Sequence, residues 1–350
     1  MRALTVVPMK AGSAEVVELP DPVAGEDELL VEGVALGICG TDRDIIAGEY
    51  GTAPPGQQRL VLGHESLGRV RSAPDGSGFG VGDLVVGVVR RPDPVPCGAC
   101  ARGEFDMCRN GRYTERGIKE LHGYGSTLWT VETDYAVRLD PALERIGVLM
   151  EPTTIVAKAW DQIERIGVRA YTEQKRVLVT GAGPIGLLAA LLGVQRGLEV
   201  HVLDRPVEGP KPDLVRDLGA VYWSAGIEDA VGASQPDVII EATGVGQLVF
   251  DAMRGTSASG IVCLTGVSNA GRQLEVDAGA VNREIVLEND VVFGSVNANL
   301  RHYGLAAEAL GRADSDWLER LITRHVPLSS YEDALDKRDD DVKVVLDLAA

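Results

Sequence analysis

The hydrophobic and polar positions of this chain follow one pattern up to about residue 151 and another after it. In the first part, apolar residues come in short runs, such as 29–36, 61–70 and 82–89, punctuated by Gly, Pro and pairs like Gly82-Asp83. Runs of this length between turn residues predict strands and tight turns, hence an irregular, mostly β domain. The stretch 92–125 has little periodicity and is rich in polar residues, Gly and Cys. It predicts a long lobe that needs a staple or a function to be tolerated. After Glu151-Pro152, residues 153–166 carry Ile155, Ala159, Ile163 and Ile166 at helical spacing. Strand-like and helix-like segments then alternate: strands at 176–180, 199–203, 237–240, 260–264 and 291–294, and helices from Pro184, Pro212 and Gln247. Strands such as Val177-Leu178-Val179 are continuously apolar, as in a parallel sheet covered on both faces. The tail from Tyr303 predicts a helix, a strand-like segment and a last strand near 341–348. The fold class is therefore α/β, with a β-rich first domain and a doubly wound second one.

A length of 350 residues makes two domains the default. The formal charge of −18 disfavours nucleic acid and anionic membrane surfaces as partners. The N-terminal residues lack the long apolar core of a signal peptide, and the longest apolar runs fall short of a membrane span, so the expectation is cytoplasmic. Five cysteines, Cys39, Cys97, Cys100, Cys108 and Cys263, argue for metal ligands or free thiols over a disulfide framework.

Candidate chemistry begins at 177–186, Val-Leu-Val-Thr-Gly-Ala-Gly-Pro-Ile-Gly. A strand, a glycine turn and a helix start form a dinucleotide site. Gly181 permits the turn, Gly183 lets the backbone approach a pyrophosphate, and Gly186 allows close helix–strand packing, while Pro184 and Ile185 open the helix whose amides favour the phosphate. Asp204 ends the next strand, where a carboxylate accepts from both ribose hydroxyls of NAD, yet Arg205 and Lys211 lie close enough to meet the 2′-phosphate of NADP. Use of both cofactors is the expectation. Thr243, Thr265, Gly266, Val267, Ser295, Val296 and Asn297 sit just past later strand ends, the side that faces the cofactor in open α/β sheets, although each can also be only a turn.

Cys39-Gly40-Thr41 and Gly63-His64-Glu65 supply a thiolate, an imidazole and a carboxylate, a donor set for zinc that leaves one position for a substrate oxygen. Glu65 reads either as a direct ligand or as a carboxylate tuning the metal from outside. Glu151 is a further candidate, binding zinc intermittently or through water, holding substrate, or only favouring a helix start. Cys97, Cys100 and Cys108 form a second cluster with three of the four ligands that a structural zinc wants, and Asp93 is the candidate fourth. The alternative is a lobe with free thiols and no metal.

Taken together, these residues resemble the zinc-containing medium-chain dehydrogenase family, and within it the glucose 1-dehydrogenases of archaea and some bacteria. The stretches that carry the resemblance are 39–43, Arg90-Arg91-Pro92, 111–117 with Glu115, Met150-Glu151-Pro152 and 294–297. It implies a GroES-like β-rich catalytic domain over 1–155, a Rossmann domain over 156–300, and a segment 301–350 returning to the first domain. It also implies association into a homodimer or homotetramer through the cofactor domains. In the implied site Cys39, His64 and Glu65 hold catalytic zinc, Glu151 serves metal and sugar, and Thr41, Glu115 and Asn297 contact the substrate. Thr41 passes a proton toward solvent during oxidation of glucose at C1. The family's lobe usually carries four cysteines, and this chain has three. Other readings are a zinc dehydrogenase for sorbitol, threonine or a simple alcohol, and an inactive NAD(P)-binding redox sensor. The polar Glu115 and Asn297 weigh against the simple alcohol, and the intact ligand set beside Thr41 against the sensor.

Overall fold

A computed structural model describes residues 1–349 apart from 172, 269, 270 and 272. The chain forms two compact units, one of Met1–Thr154 with Asn297–Ala350, the other of Ile155–Val296.

The first unit is built on a sheet whose strands run in the order Ala136–Arg138, Leu84–Gly87, Glu65–Ser72, Glu28–Ile38, Lys343–Asp347 and Ile322–Pro327, with Leu128–Glu132 also paired to Glu28–Ile38. The strand Glu28–Ile38 alternates buried and half-buried residues before its last four positions become fully buried. That change marks where the strand leaves the surface just before the half-buried Cys39. The apolar run 61–70 is not one strand. Leu60–Val61 pairs with Arg2–Val6 in a separate sheet, and Glu65–Ser72 joins the main one. Gly63, at φ +94°, makes the break. The consequence is that His64 stands at a corner rather than inside a ladder. The segment 92–125 carries short 3₁₀ turns at Cys100–Arg102 and Phe105–Met107 and a small sheet containing Arg90–Arg91, Thr114–Arg116 and Glu120–Leu121.

The second unit holds a parallel sheet in the order Val221–Trp223, Glu199–Leu203, Arg176–Thr180, Val238–Glu241, Ile261–Leu264 and Val291–Gly294. The direction of winding reverses beside Arg176–Thr180, which puts the glycine turn at the switch point of the sheet. The continuous apolar runs behave as expected: Val177, Leu178 and Val179 are all fully buried. The helix Pro184–Gln195 is apolar all round and buried along its middle. The helix before the sheet starts at Met150, three residues earlier than its periodicity suggests, so Glu151 lies in its first turn.

The tail closes the first unit. Strand Lys343–Asp347 pairs antiparallel with Glu28–Ile38 on one side and parallel with Ile322–Pro327 on the other. Arg324 fixes its approach. Its Nε and Nη2 donate to Asp341 Oδ1 and Oδ2 at 2.8 and 2.7 Å, and Nη1 and Nη2 also donate to the Asp333 and Asp336 carbonyls. Burial alone would raise the Asp341 carboxyl, but Arg324 and the Arg338 amide override it and hold it below the usual range. A group lowered in this way stabilises the fold above the ordinary carboxylate range and loses that effect as pH falls through its native value. Arg324→Ala is therefore expected to cost about 2–3 kcal/mol in urea unfolding at neutral pH, and the gap to the parent should narrow in acid. A gap independent of pH would assign the loss to packing alone.

Candidate metal and cofactor site

The helix Gly40–Ala47 begins as the strand Glu28–Ile38 ends, and Cys39 is its N-cap. The Cys39 N–H donates to Asp42 Oδ2 at 2.9 Å, which fixes the turn. Across the sheet, Gly37 is the register partner of Glu65, so the start of Glu65–Ser72 lies beside the end of the Cys39 strand. Pairing and corner together bring Cys39, His64 and Glu65 to one point, with a donor atom of each within 4.8 Å of the others. Cys39 Sγ faces His64 Nε2 at 3.1 Å. His64 Nδ1 stands 3.5 Å from Asp42 Oδ1, and neither atom has a closer hydrogen-bond partner. A carboxylate behind an imidazole is the arrangement that orients a metal-binding histidine and selects its tautomer. Asp42 lies within the stretch 39–43, and its role emerges only from this contact. Its position three residues past a cysteine N-cap was the signal.

A second residue escaped the sequence reading. Lys343, from the last strand, is buried and ion-paired to Glu65 Oε2, and its Nζ also donates to the Ile38 carbonyl at 3.1 Å. Even so, the cluster is short of positive charge. Burial, with Asp42 adding to it, raises the Cys39 thiol. Burial, reinforced by Glu65 and opposed by His64 and Lys343, pushes Glu151 up to about 7. Burial disfavours charge on His64, yet the Cys39 and Asp42 charges still carry it well above its ordinary value. Acidic groups that hold on to protons chiefly because desolvation disfavours their charge are what a divalent ion relieves. The S, N and O donors fit zinc.

In the same unit, Glu115 is buried and accepts from Arg90 and from Asn297 Nδ2, the latter at 2.5 Å. Asn297 adopts φ +62°, and its Oδ1 accepts from the Ala298 N–H. Most of its amide is thus spent on Glu115 and on its own backbone. Thr41 lies half-buried in the first turn of the helix that Cys39 caps.

The structure gathers Cys97, Cys100 and Cys108 with sulfurs within 4.8 Å. It does not bring the Asp93 carboxylate into that group. Asp93 Oδ1 accepts from the Val95 N–H at 2.8 Å, and Oδ2 pairs with Arg112 at 3.3 Å. Backbone amides of Arg109 and Cys100 lower the Cys97 thiol to about 6. The lobe thus offers three thiols, one of them readily ionised.

In the second unit, Gly181 is at φ +96°, and a Cβ on Gly186 would lie 1.8 Å from the Gly181 carbonyl. Gly183, the N-cap of the helix Pro184–Gln195, has nothing within 4 Å of where its Cβ would be, so an anion can reach the amides there. Asp204 Oδ2 accepts from the Ala182 N–H at 2.9 Å and pairs with Lys211 at 3.4 Å, while Arg205 is exposed. Glu241, which carries no sequence motif, is fully buried and organises the neighbouring turns. Its Oε1 accepts from the Thr243 N–H at 2.8 Å and from the Thr180 hydroxyl at 3.3 Å, and its carbonyl accepts from the Thr265 hydroxyl and the Gly266 N–H. Val267 and Val296 are exposed, and the Val296 carbonyl accepts from the buried Lys158. Glycine turn, ribose-side carboxylate and open helix end together fit a nicotinamide dinucleotide.

Comparison with known proteins gives the same picture over the whole chain. Residues 25–141 match the alcohol dehydrogenase GroES-like domain, and residues 144–348 match the glucose dehydrogenase C-terminus. The glucose 1-dehydrogenase of Methanocella arvoryzae is 38% identical with all of both chains covered, and that of Thermoproteus tenax is 38% identical with 99% of both covered. Among solved structures, the Haloferax mediterranei glucose dehydrogenase in complex with NADP, Zn and gluconolactone superposes with a TM-score of 0.91 at 33% identity, covering 99% of each chain.

The link between Asp42 and His64 gives a direct test. Asp42→Asn is expected to weaken zinc binding about 10- to 100-fold in competition with a chelator. Affinity equal to the parent's would leave Asp42 as a helix cap only.

Proposed function

This chain belongs to the zinc-containing medium-chain dehydrogenases of the glucose 1-dehydrogenase family, and we propose that it oxidises D-glucose at C1 to gluconolactone with reduction of NAD(P). Gluconolactone then hydrolyses to gluconate. The observation that carries this reading is the cluster of half-buried Cys39 with buried His64 and Glu65 in the same unit as a buried carboxylate, Glu115, that is held by a cation and still has an oxygen to give.

Zinc lowers the pKa of a coordinated hydroxyl, and the nicotinamide cofactor takes up hydride. Cys39 and His64 would hold the metal, and Glu65, already paired with Lys343, would complete the set or tune it. Glu151, whose carboxyl lies near enough to feel the charges of His64 and Glu65, would serve the metal and the sugar. The Thr41 hydroxyl would take the proton leaving the sugar and pass it toward solvent. Glu115 would accept a hydroxyl of the ring, and Asn297 would hold Glu115 as well as reach the sugar. A polyol needs several such fixed groups, whereas a simple alcohol needs an apolar pocket. In the lobe, three thiols support either a zinc completed by an outside ligand or a metal-free state.

On the cofactor side, Gly181, Gly183, Pro184, Ile185 and Gly186 would cradle the pyrophosphate, with the turns at Thr243, 265–267 and 295–297 around the rest. Lys211 offsets the charge of Asp204. A 2′-phosphate is therefore not repelled, while Asp204 still accepts from a 2′-hydroxyl, and both NAD and NADP are used. We also propose a cytoplasmic homodimer or homotetramer joined through the cofactor unit. Val286 and Leu287, exposed on the helix Ala278–Glu288, offer apolar surface for the contact.

The deciding assay is the initial rate of NAD(P)H formation with glucose, galactose, xylose, sorbitol, threonine and ethanol, with each cofactor. Aldose oxidation is expected, with glucose among the best substrates. Activity confined to sorbitol, threonine or ethanol would overturn the sugar reading. Lys211→Ala is expected to raise the KM for NADP about tenfold and to leave that for NAD nearly unchanged. An equal change in both would remove the charge argument.

A further inference from the structure

We propose that Arg90 is the positioning residue for sugar selectivity, acting by pinning one oxygen of Glu115 so that the other is presented in a single direction. This inference rests on the aldose dehydrogenase reading above.

Arg90 and Glu115 are register partners on the antiparallel strands Arg90–Arg91 and Thr114–Arg116, and both are buried. Arg90 Nε and Nη2 donate to the same atom, Glu115 Oε1, at 3.2 and 3.0 Å. Nη1 donates to the Asp106 carbonyl at 3.0 Å, which prevents the guanidinium from turning. The Tyr113 ring lies under it, 3.7 Å from centroid to Cζ. Asn297 Nδ2 also donates to Oε1. Three donors therefore converge on one oxygen, and no hydrogen bond from the described residues falls on Oε2.

The asymmetry has a chemical consequence. A carboxylate with both oxygens free can accept from hydroxyls in many directions and discriminates poorly among aldoses that differ at one carbon. A carboxylate locked through Oε1 accepts at Oε2 with fixed lone-pair directions. An epimer that moves its hydroxyl away leaves a buried charged acceptor unmatched, which is the costly kind of mismatch. Arg90 also gives the buried Glu115 carboxylate its ion-pair partner, at 3.0 Å. The fork is essential: two protons on one oxygen and a third on a backbone carbonyl need a planar guanidinium, and an ammonium cannot reproduce that geometry.

The test is steady-state kinetics of the full-length holoenzyme, as parent, Arg90→Lys and Arg90→Met, with glucose, mannose, allose and galactose at saturating NADP. Zinc content and thermal midpoint are measured alongside. The expected result for Arg90→Lys is a glucose KM raised about tenfold with kcat within about threefold, an unchanged KM for NADP, and a narrowed ratio of glucose to at least one epimer. Arg90→Met should narrow that ratio further. If Arg90 only supports the fold, both variants will lower kcat/KM for every aldose by a common factor and keep the epimer ratios, and this inference is overturned while the aldose reading stands. A parent protein inactive on every aldose would remove both.

Discussion

The buried charge balance around Cys39, His64, Glu65 and Glu151 is the constraint on which the first unit depends. Asp42, His64 and Glu65 are buried and Cys39 and Glu151 half-buried, and among the described residues Lys343 is the cation ion-paired to Glu65. Burying like charges without compensation is among the most costly things a fold can do. Lys343 offsets part of that cost through Glu65, and a divalent ion held by Cys39, His64 and Glu65 would offset more. This explains why the last strand of the chain is inserted next to the strand that ends at Cys39. Without Lys343–Asp347 in place, Glu65 would lose its cation, and the strand Glu28–Ile38 would lose a pairing partner.

The same device recurs at Glu115 with different chemistry. There the charge is balanced by a guanidinium rather than by an ion-binding cluster, and the balance is lopsided, with three donors on one oxygen. In the second unit Asp204 and Glu241 are also tied down by backbone amides, a lysine and hydroxyls. At Glu115, Asp204 and Glu241 alike, a carboxylate is fixed by several donors from neighbouring residues. Rigid donors and acceptors lose little entropy on binding, which is how a site for a hydroxyl-rich substrate gains discrimination.

What was legible in the sequence were features written in short windows. Gly181 to Gly186 reads as a turn because each glycine answers a local demand of backbone or packing. The runs 176–180 and 199–203 read as strands because the parallel sheet is apolar on both faces, and the structure has them at those positions. Cys39 and His64-Glu65 stood out as donors, though what joins them is the Gly37–Glu65 register and the corner at Gly63, which split the apolar run 61–70 in two. Lys343 and Arg90 were invisible as site residues, because their roles arise from pairing with Glu65 and Glu115, distant in sequence. Asp93 illustrates the opposite error. Proximity to the cysteines suggested a ligand, but its carboxylate is satisfied by the Val95 amide and Arg112 and stays out of the thiol cluster.

The most direct test of the charge-balance account is a crystal structure of the active holoenzyme with glucose and NADP, recorded at the zinc absorption edge. The account predicts an anomalous peak about 2.3 Å from Cys39 Sγ and about 2.1 Å from His64 Nε2, with a sugar hydroxyl on Glu115 Oε2. An enzyme that turns over glucose yet shows no anomalous peak between Cys39 and His64 would contradict it.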